Sequence, residues 1–157
     1  MAEMGNVNER DNKLRVTWME RSLILLKPDA LERRLAGEMI GRFEKRGFKI
    51  TAMKMIHFTP ELARRHYARL ADEPFFPEIL AYVTRCPIIA LILAGPEDTV
   101  TVIRNMVGVT DGKKAQPGTI RGDFTLSYRE NLIHASDSVE SAEREISIFF
   151  RDDEIMD

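Results

Sequence analysis

Seven consecutive apolar residues, Ile88-Ile89-Ala90-Leu91-Ile92-Leu93-Ala94, most narrow what this chain can become. The run is far shorter than the roughly 20 residues of a membrane span. It shows no alternation, so as a strand it must be covered on both faces. Such a strand demands apolar helix faces, and the rest of the sequence supplies them. Ala36, Met39, Ile40 and Phe43 share one face of a predicted helix that Gly47 closes. Thr59 and Pro60 have the chemistry of an N-cap and first helical position, ahead of Leu62, Ala63, Tyr67 and Leu70. Pro74 to Val83 reads as another helix, with Pro87 marking its end. Val100, Ile103 and Val107 mark a further one. A last helix is expected from Ser138 to Phe150, with Val139, Ala142, Ile146 and Phe149 inward, and Asp137 and Glu140 at capping-box spacing.

Three more segments read as strands: SLILLK (Ser22 to Lys27), stopped by Pro28; FKITAMKMIHF (Phe48 to Phe58); and NLIH (Asn131 to His134). Between Gly108 and Glu130 periodicity fails, and a loop of that length in a small domain is usually functional. The order β-α-β-α-α-β-α-loop-β-α predicts an α/β chain of the α+β sandwich kind. It is a ferredoxin-like split βαβ, with a four-stranded, mainly antiparallel sheet covered by helices. A length of 157 residues fits one domain. We expect it over residues 20–157, after a disordered N-terminal extension at residues 1–19.

Composition removes several function classes. With 23 basic and 25 acidic residues the net charge is −2, which argues against binding nucleic acid through bulk positive charge. Cys86 is the sole cysteine, so no internal disulfide forms and a reducing, cytoplasmic location fits best. There is neither G-x-x-x-x-G-K-[ST] nor G-x-G-x-x-G, which excludes a P-loop and a Rossmann dinucleotide site.

What remains is a histidine in an unusual place. His134 stands between a predicted strand and a predicted helix, followed by Ser136, Asp137 and Ser138. It reads either as a satisfied core residue or as a nucleophile. In the second case its tautomer would be fixed by these neighbours, and Glu145 would accept a proton from the far ring nitrogen. Lys27 at a strand end, Arg104 on the edge of an apolar stripe and Arg121 in TIRGDF are each ordinary alone; together with His134 they suggest a phosphate pocket. His57 and His66 have no metal-ligand spacing and read as structural or surface residues. Phe75-Phe76 is either core or, for one of the two, a base-stacking platform.

LILLKPDA (Leu23 to Ala30), HYARLADEPFFPE (His66 to Glu78), PGTIRGDF (Pro117 to Phe124) and NLIHASDSVESAEREI (Asn131 to Ile146) together resemble the nucleoside diphosphate kinase family, in order, from about Glu20 to Phe150. The resemblance implies ping-pong transfer of a γ-phosphate from a nucleoside triphosphate to a nucleoside diphosphate, through a phosphohistidine on His134. It implies that Ser136 and Glu145 orient that histidine and that Tyr67 lies close to it. Arg104, Thr110 and Arg121 would bind nucleotide phosphates, while Lys27 and Asn131 would hold ribose hydroxyls, Lys27 also reaching the transferred group. Phe75 would stack on the base with Ile79 beside it. Mg²⁺ would be bound mainly through nucleotide phosphates, with Asp137 reaching it through water. The partners implied are nucleoside tri- and diphosphates and further copies of the chain, a homo-oligomer with a hexamer favoured over a tetramer; no membrane or specific nucleic acid is expected. Two departures stand out: Ala135 where the family usually has Gly, and Tyr128-Arg129-Glu130 before Asn131. The rival reading is a ferredoxin-like nucleotide- or RNA-binding module without turnover.

Overall fold

The computed structural model describes residues 20–156; the extension expected over residues 1–19 lies outside them. Strands β1 (Glu20–Leu26), β2 (Lys49–Ile56), β3 (Ile88–Gly95) and β4 (Ile133–Ala135) form one sheet in the order β2-β3-β1-β4. Every pairing is antiparallel, Ile24 lying opposite both Leu91 and Ala135. This is the ferredoxin-like arrangement expected from the order of elements.

The apolar runs work as anticipated, because neighbouring residues of the two inner strands feed opposite cores. Leu23, Leu25, Ala90 and Ile92 pack with Ala63, Phe76, Val83, Ile146 and Phe149, which lie on α3 (Pro60–His66), α4 (Phe76–Val83) and α7 (Val139–Phe149). Ile24, Leu26, Leu91 and Leu93 pack with Met39, Phe43, Ile103, Val107 and Ile120 from α2 (Ala36–Arg46), α5 (Thr99–Val107) and α6 (Ile120–Phe124). Each large side chain buried this fully contributes about 1.5–3 kcal/mol, so both faces of β1 and β3 are held firmly.

Helix ends follow local chemistry. Thr59 Oγ1 accepts from the Leu62 amide at 3.1 Å, as its position predicted. Gly47, at φ 104°, ends α2 in the left-handed region that a side chain disfavours. The last helix departs from expectation. Its N-cap is Ser138, whose Oγ accepts from the Ser141 amide at 3.0 Å, so the position three residues on holds Ser141 and the Asp137–Glu140 capping box does not form. Val139, expected inward, is exposed, because it opens the helix before its buried face begins.

Two short helices were not foreseen. Helix α1 (Pro28–Glu32) follows Lys27 directly, and α6 lies within the stretch read as structureless. Thr119 caps α6, its Oγ1 accepting from the Gly122 amide at 3.0 Å. A Cβ on Gly122 would meet the Gln116 carbonyl oxygen at 1.9 Å, so this turn closes only around glycine. The predicted NLIH strand begins two residues later and ends one later than expected: β4 spans Ile133–Ala135. Leu132, at φ 72°, breaks the extended conformation just before it.

Candidate active site

The segment from Asn131 to Ser136 is anchored from three sides, and this anchoring positions the histidine. The Lys27 amide donates to the Leu132 carbonyl at 2.9 Å, and the Leu132 amide donates to Oδ2 of buried Asp29 at 3.0 Å. The Tyr82 hydroxyl contacts the other oxygen of the same carboxylate. From below comes Arg121, only 3% exposed. Its guanidinium donates to the carbonyls of Asn131 (3.1 Å), Gly108 (3.0 Å) and Ile133 (2.5 Å), and to Asn131 Oδ1 (3.3 Å). Arg121 therefore lies beneath the site with donors on three backbone carbonyls and on Asn131 Oδ1, at a position where the resemblance implied binding of nucleotide phosphate.

His134 sits in β4 opposite Leu25, with the strand continuing through Ala135; α7 starts only at Val139. Its Nε2 is in hydrogen-bond contact with Glu145 Oε2, whose residue is 4% exposed. The Ser136 hydroxyl accepts from the Leu23 amide at 3.0 Å and lies 3.3 Å from the same carboxylate oxygen. Ser136 thus holds Glu145 and the strand edge, and Glu145 holds the ring. Ser138 is the helix cap, and Asp137 is held ionised, below the usual carboxylate range, by hydrogen bonds from Ser141 and Ser138. The three residues expected to fix the histidine's tautomer leave that task to Glu145. Ala135 has no left-handed backbone, so the missing glycine costs nothing here.

Two cavities open beside this segment. The smaller, about 290 Å³, is lined by His134, Glu145, Asp137, Tyr67, His66 and Arg144 among others. The larger, about 550 Å³, has Lys27, Tyr67, Phe75, Ile79, Thr110 and Asn131 on its walls, together with Tyr128 and Arg129. Tyr67 and Leu70 line both, so the histidine end and the aromatic end share a wall. Phe75 is 43% exposed while Phe76 is core, which decides which of the pair offers a free ring. The unusual Tyr128-Arg129 pair walls the cavity, Arg129 forming an ion pair with Glu78.

The electrostatics suit an anion. Burial and the charge of Arg121 push the Lys27 ammonium down to about 7, against the raising effect of Asp29. Its Nζ donates to Asn131 Oδ1 at 2.8 Å. Arg104 donates to the Ala135 carbonyl at 3.3 Å, one residue beyond His134. The structure therefore places Lys27, Tyr67, Phe75, Thr110, Asn131, His134, Asp137 and Glu145 on the walls of two adjoining cavities, with Ser136 behind Glu145, Arg104 on the Ala135 carbonyl and Arg121 as the support of the segment.

Sequence reasoning missed Asp29 and Tyr82 as anchors, and it missed His66. The His66 ring lies 4.7 Å from that of His134, edge to face. Only the fold brings α3 against β4; no spacing along the chain signals it.

The family model for nucleoside diphosphate kinase matches residues 20–155. A nucleoside diphosphate kinase of Pyrococcus abyssi is 53% identical over 141 residues, covering 88% of each chain. That of Thermus thermophilus is 46% identical over 138 residues, 88% of this chain and 100% of the relative. Among solved structures, a nucleoside diphosphate kinase from Halobacterium salinarum in complex with CDP superposes with a TM-score of 0.84 at 40% identity. The match covers 88% of this chain and 91% of that one.

Proposed function

Because this chain belongs to the nucleoside diphosphate kinase family and is a phosphotransferase of that kind, we propose that it works by ping-pong transfer through a phosphohistidine on Nδ1 of His134. The observation that carries this reading is the contact between His134 Nε2 and buried Glu145. A carboxylate on Nε2 holds the ring proton there, so the lone pair is on Nδ1. That nitrogen attacks the γ-phosphorus of the triphosphate; the N–P bond forms as the bond to the bridging oxygen breaks, and the diphosphate leaves. Glu145 stabilises the charge that the ring gains. A second diphosphate then attacks with a terminal oxygen, the N–P bond breaks, and the lone pair returns to Nδ1.

The other side chains position and neutralise. Phe75 and Ile79 receive the base, and stacking on one aromatic face tolerates every base. Lys27 and Asn131 hold the sugar hydroxyls, and Lys27 also meets the transferred group. Thr110 and Arg104 meet the phosphates, and Arg121 supports the segment beneath them. Fixed cations of this sort do most of the work of phosphoryl transfer.

The residues present fit Mg²⁺ carried in on the nucleotide. Among the lining residues of the larger cavity the one carboxylate, Glu78, is paired with Arg129, whereas Asp137 stays ionised beside His134 and would meet the ion through water. When bound, Mg²⁺ neutralises phosphate charge. We assign the activity to residues 20–157 and expect a homo-oligomer, with a hexamer favoured. Among the described residues no helix is long and apolar enough to cross a membrane.

Initial rates at several fixed acceptor concentrations test the reading. Ping-pong transfer gives parallel double-reciprocal lines; lines that intersect would mean direct transfer between two bound nucleotides, with no phosphohistidine.

A further inference from the structure

His66 is 7% exposed, and its Nδ1 is buried with no hydrogen-bond partner among the described residues. The proposed transfer has no use for this ring. Yet one ring nitrogen of His66, one of His134 and a carboxylate oxygen of Glu145 all lie within 4.8 Å of one another, beside a cavity of about 290 Å³ with room for a further ligand.

We propose that His66, His134 and Glu145 form a binding site for a single borderline transition cation of the zinc(II) class, and that its occupancy silences the nucleophile. Two imidazoles and one carboxylate with an open fourth position is a donor set that suits Zn²⁺ and not Mg²⁺, which prefers oxygen. Zn–N and Zn–O bonds are about 2.0–2.2 Å long, so ligand atoms around one tetrahedral ion lie roughly 3.3–3.6 Å apart, and atoms now within 4.8 Å of one another need to close by at most roughly 1.2–1.5 Å while the His134–Glu145 contact opens to admit the ion. Burial above all, with the cations Lys27 and Arg144 adding to it, pushes the His66 pKa down and keeps the ring neutral. A neutral ring is ready to coordinate without first losing a proton. The cations Lys27 and Arg144 oppose any ion held by charge alone, so selectivity rests on the nitrogen donors. A lone polar nitrogen in an apolar setting is costly, and coordination gives the ring a partner.

The consequence for chemistry follows from the imidazole itself. A neutral ring that gives one lone pair to a metal carries its proton on the other nitrogen. Whichever nitrogen of His134 binds the cation, none is left to attack phosphorus. This second half of the proposal rests on His134 being the nucleophile; the binding half does not.

The test uses nucleotide-free protein. Titration calorimetry with zinc chloride is expected to give one equivalent bound, and cobalt(II) in its place is expected to give the intense visible bands of a tetrahedral site, bleached when zinc is added. His66→Asn and Glu145→Gln should each weaken binding at least about tenfold, the loss seen even for outer-shell changes. Two variants are used because His66 is packed among rings, and Glu145→Gln keeps its volume should His66→Asn fail to fold. No binding by wild type, or equal binding by a folded variant of either kind, overturns the site. Phosphorylation by stoichiometric Mg-ATP, read by intact mass, should then fall with zinc-loaded wild type and not with His66→Asn. Undiminished phosphorylation of the loaded protein overturns the silencing. An unloaded protein that takes no phosphate at all would instead defeat the proposed function.

Discussion

Replacing Arg121 by alanine should damage the fold as well as the chemistry, and the size of the damage follows from its contacts. The substitution removes the donor to three backbone carbonyls, those of Asn131, Gly108 and Ile133. A buried acceptor left without a partner costs about 1–3 kcal/mol. The Gly108 contact is part-buried and water can reach into the space vacated, so we take the low end, about 3 kcal/mol in all. That is a large share of the 5–15 kcal/mol typical of a domain, and for this size it lowers Tm by about 6–12 °C. The assay is thermal unfolding followed by circular dichroism at fixed protein concentration, with transfer rates measured well below the transition. Arg104→Ala serves as the contrast. It removes one part-buried bond to the Ala135 carbonyl, worth about 1 kcal/mol, so Tm should fall by only about 2–4 °C while transfer falls about 10²–10³-fold. Arg121→Lys should not rescue, because an ammonium cannot reach three carbonyls at once. A Tm for Arg121→Ala within about 2 °C of wild type would refute the reasoning, since it would mean that these carbonyls need no buried guanidinium.

Other outcomes follow from the same geometry. Lys27, with a pKa near 7 in the free protein, is charged below that pH, so kcat/KM should fall as pH rises through about 7 and the fall should vanish in Lys27→Met. Stability moves the opposite way: because folding lowers this pKa from 10.5, the unfolded chain binds more protons between about 7 and 10.5, and the nucleotide-free protein gains stability as pH rises across that window. A kcat/KM profile that is flat across neutrality would contradict this role for Lys27. Glu145→Gln can place an amide donor against Nε2 and so favour the proton on Nδ1, the wrong tautomer. Presteady-state kinetics should show phosphorylation slowed about 10²–10⁴-fold with little change in nucleotide affinity. Phe75→Ala should weaken binding of purine and pyrimidine diphosphates alike by about 1–3 kcal/mol, and calorimetry showing a loss for one base class only would argue against a stacking platform.

The framework was legible where burial leaves a repeating pattern. The inner strands β1 and β3, the helices with apolar stripes and the Thr59 cap all follow from residues close in sequence. The short helices α1 and α6 escaped because five residues hold no periodicity. Ser138 displaced Asp137 as the cap because both can accept from the first turn, and only backbone geometry decides between them. The site divides in the same way. The pairing of His134 with Glu145 was visible as a possibility, since strand end and helix flank lie near one another in the chain. The burial of Arg121, the anchoring by Asp29 and Tyr82 and the approach of His66 to His134 depend on packing between elements far apart in sequence, and no spacing rule reports them.

The measurement that bears most directly on the central claim is the intact mass of the protein after brief exposure to Mg-ATP at mildly alkaline pH, for wild type and His134→Ala. The account predicts one added phosphate on wild type, lost in acid or on adding a second nucleoside diphosphate, and none on a His134→Ala variant that still folds. Wild type that stays unmodified, or a His134→Ala variant that still takes the phosphate, would contradict it.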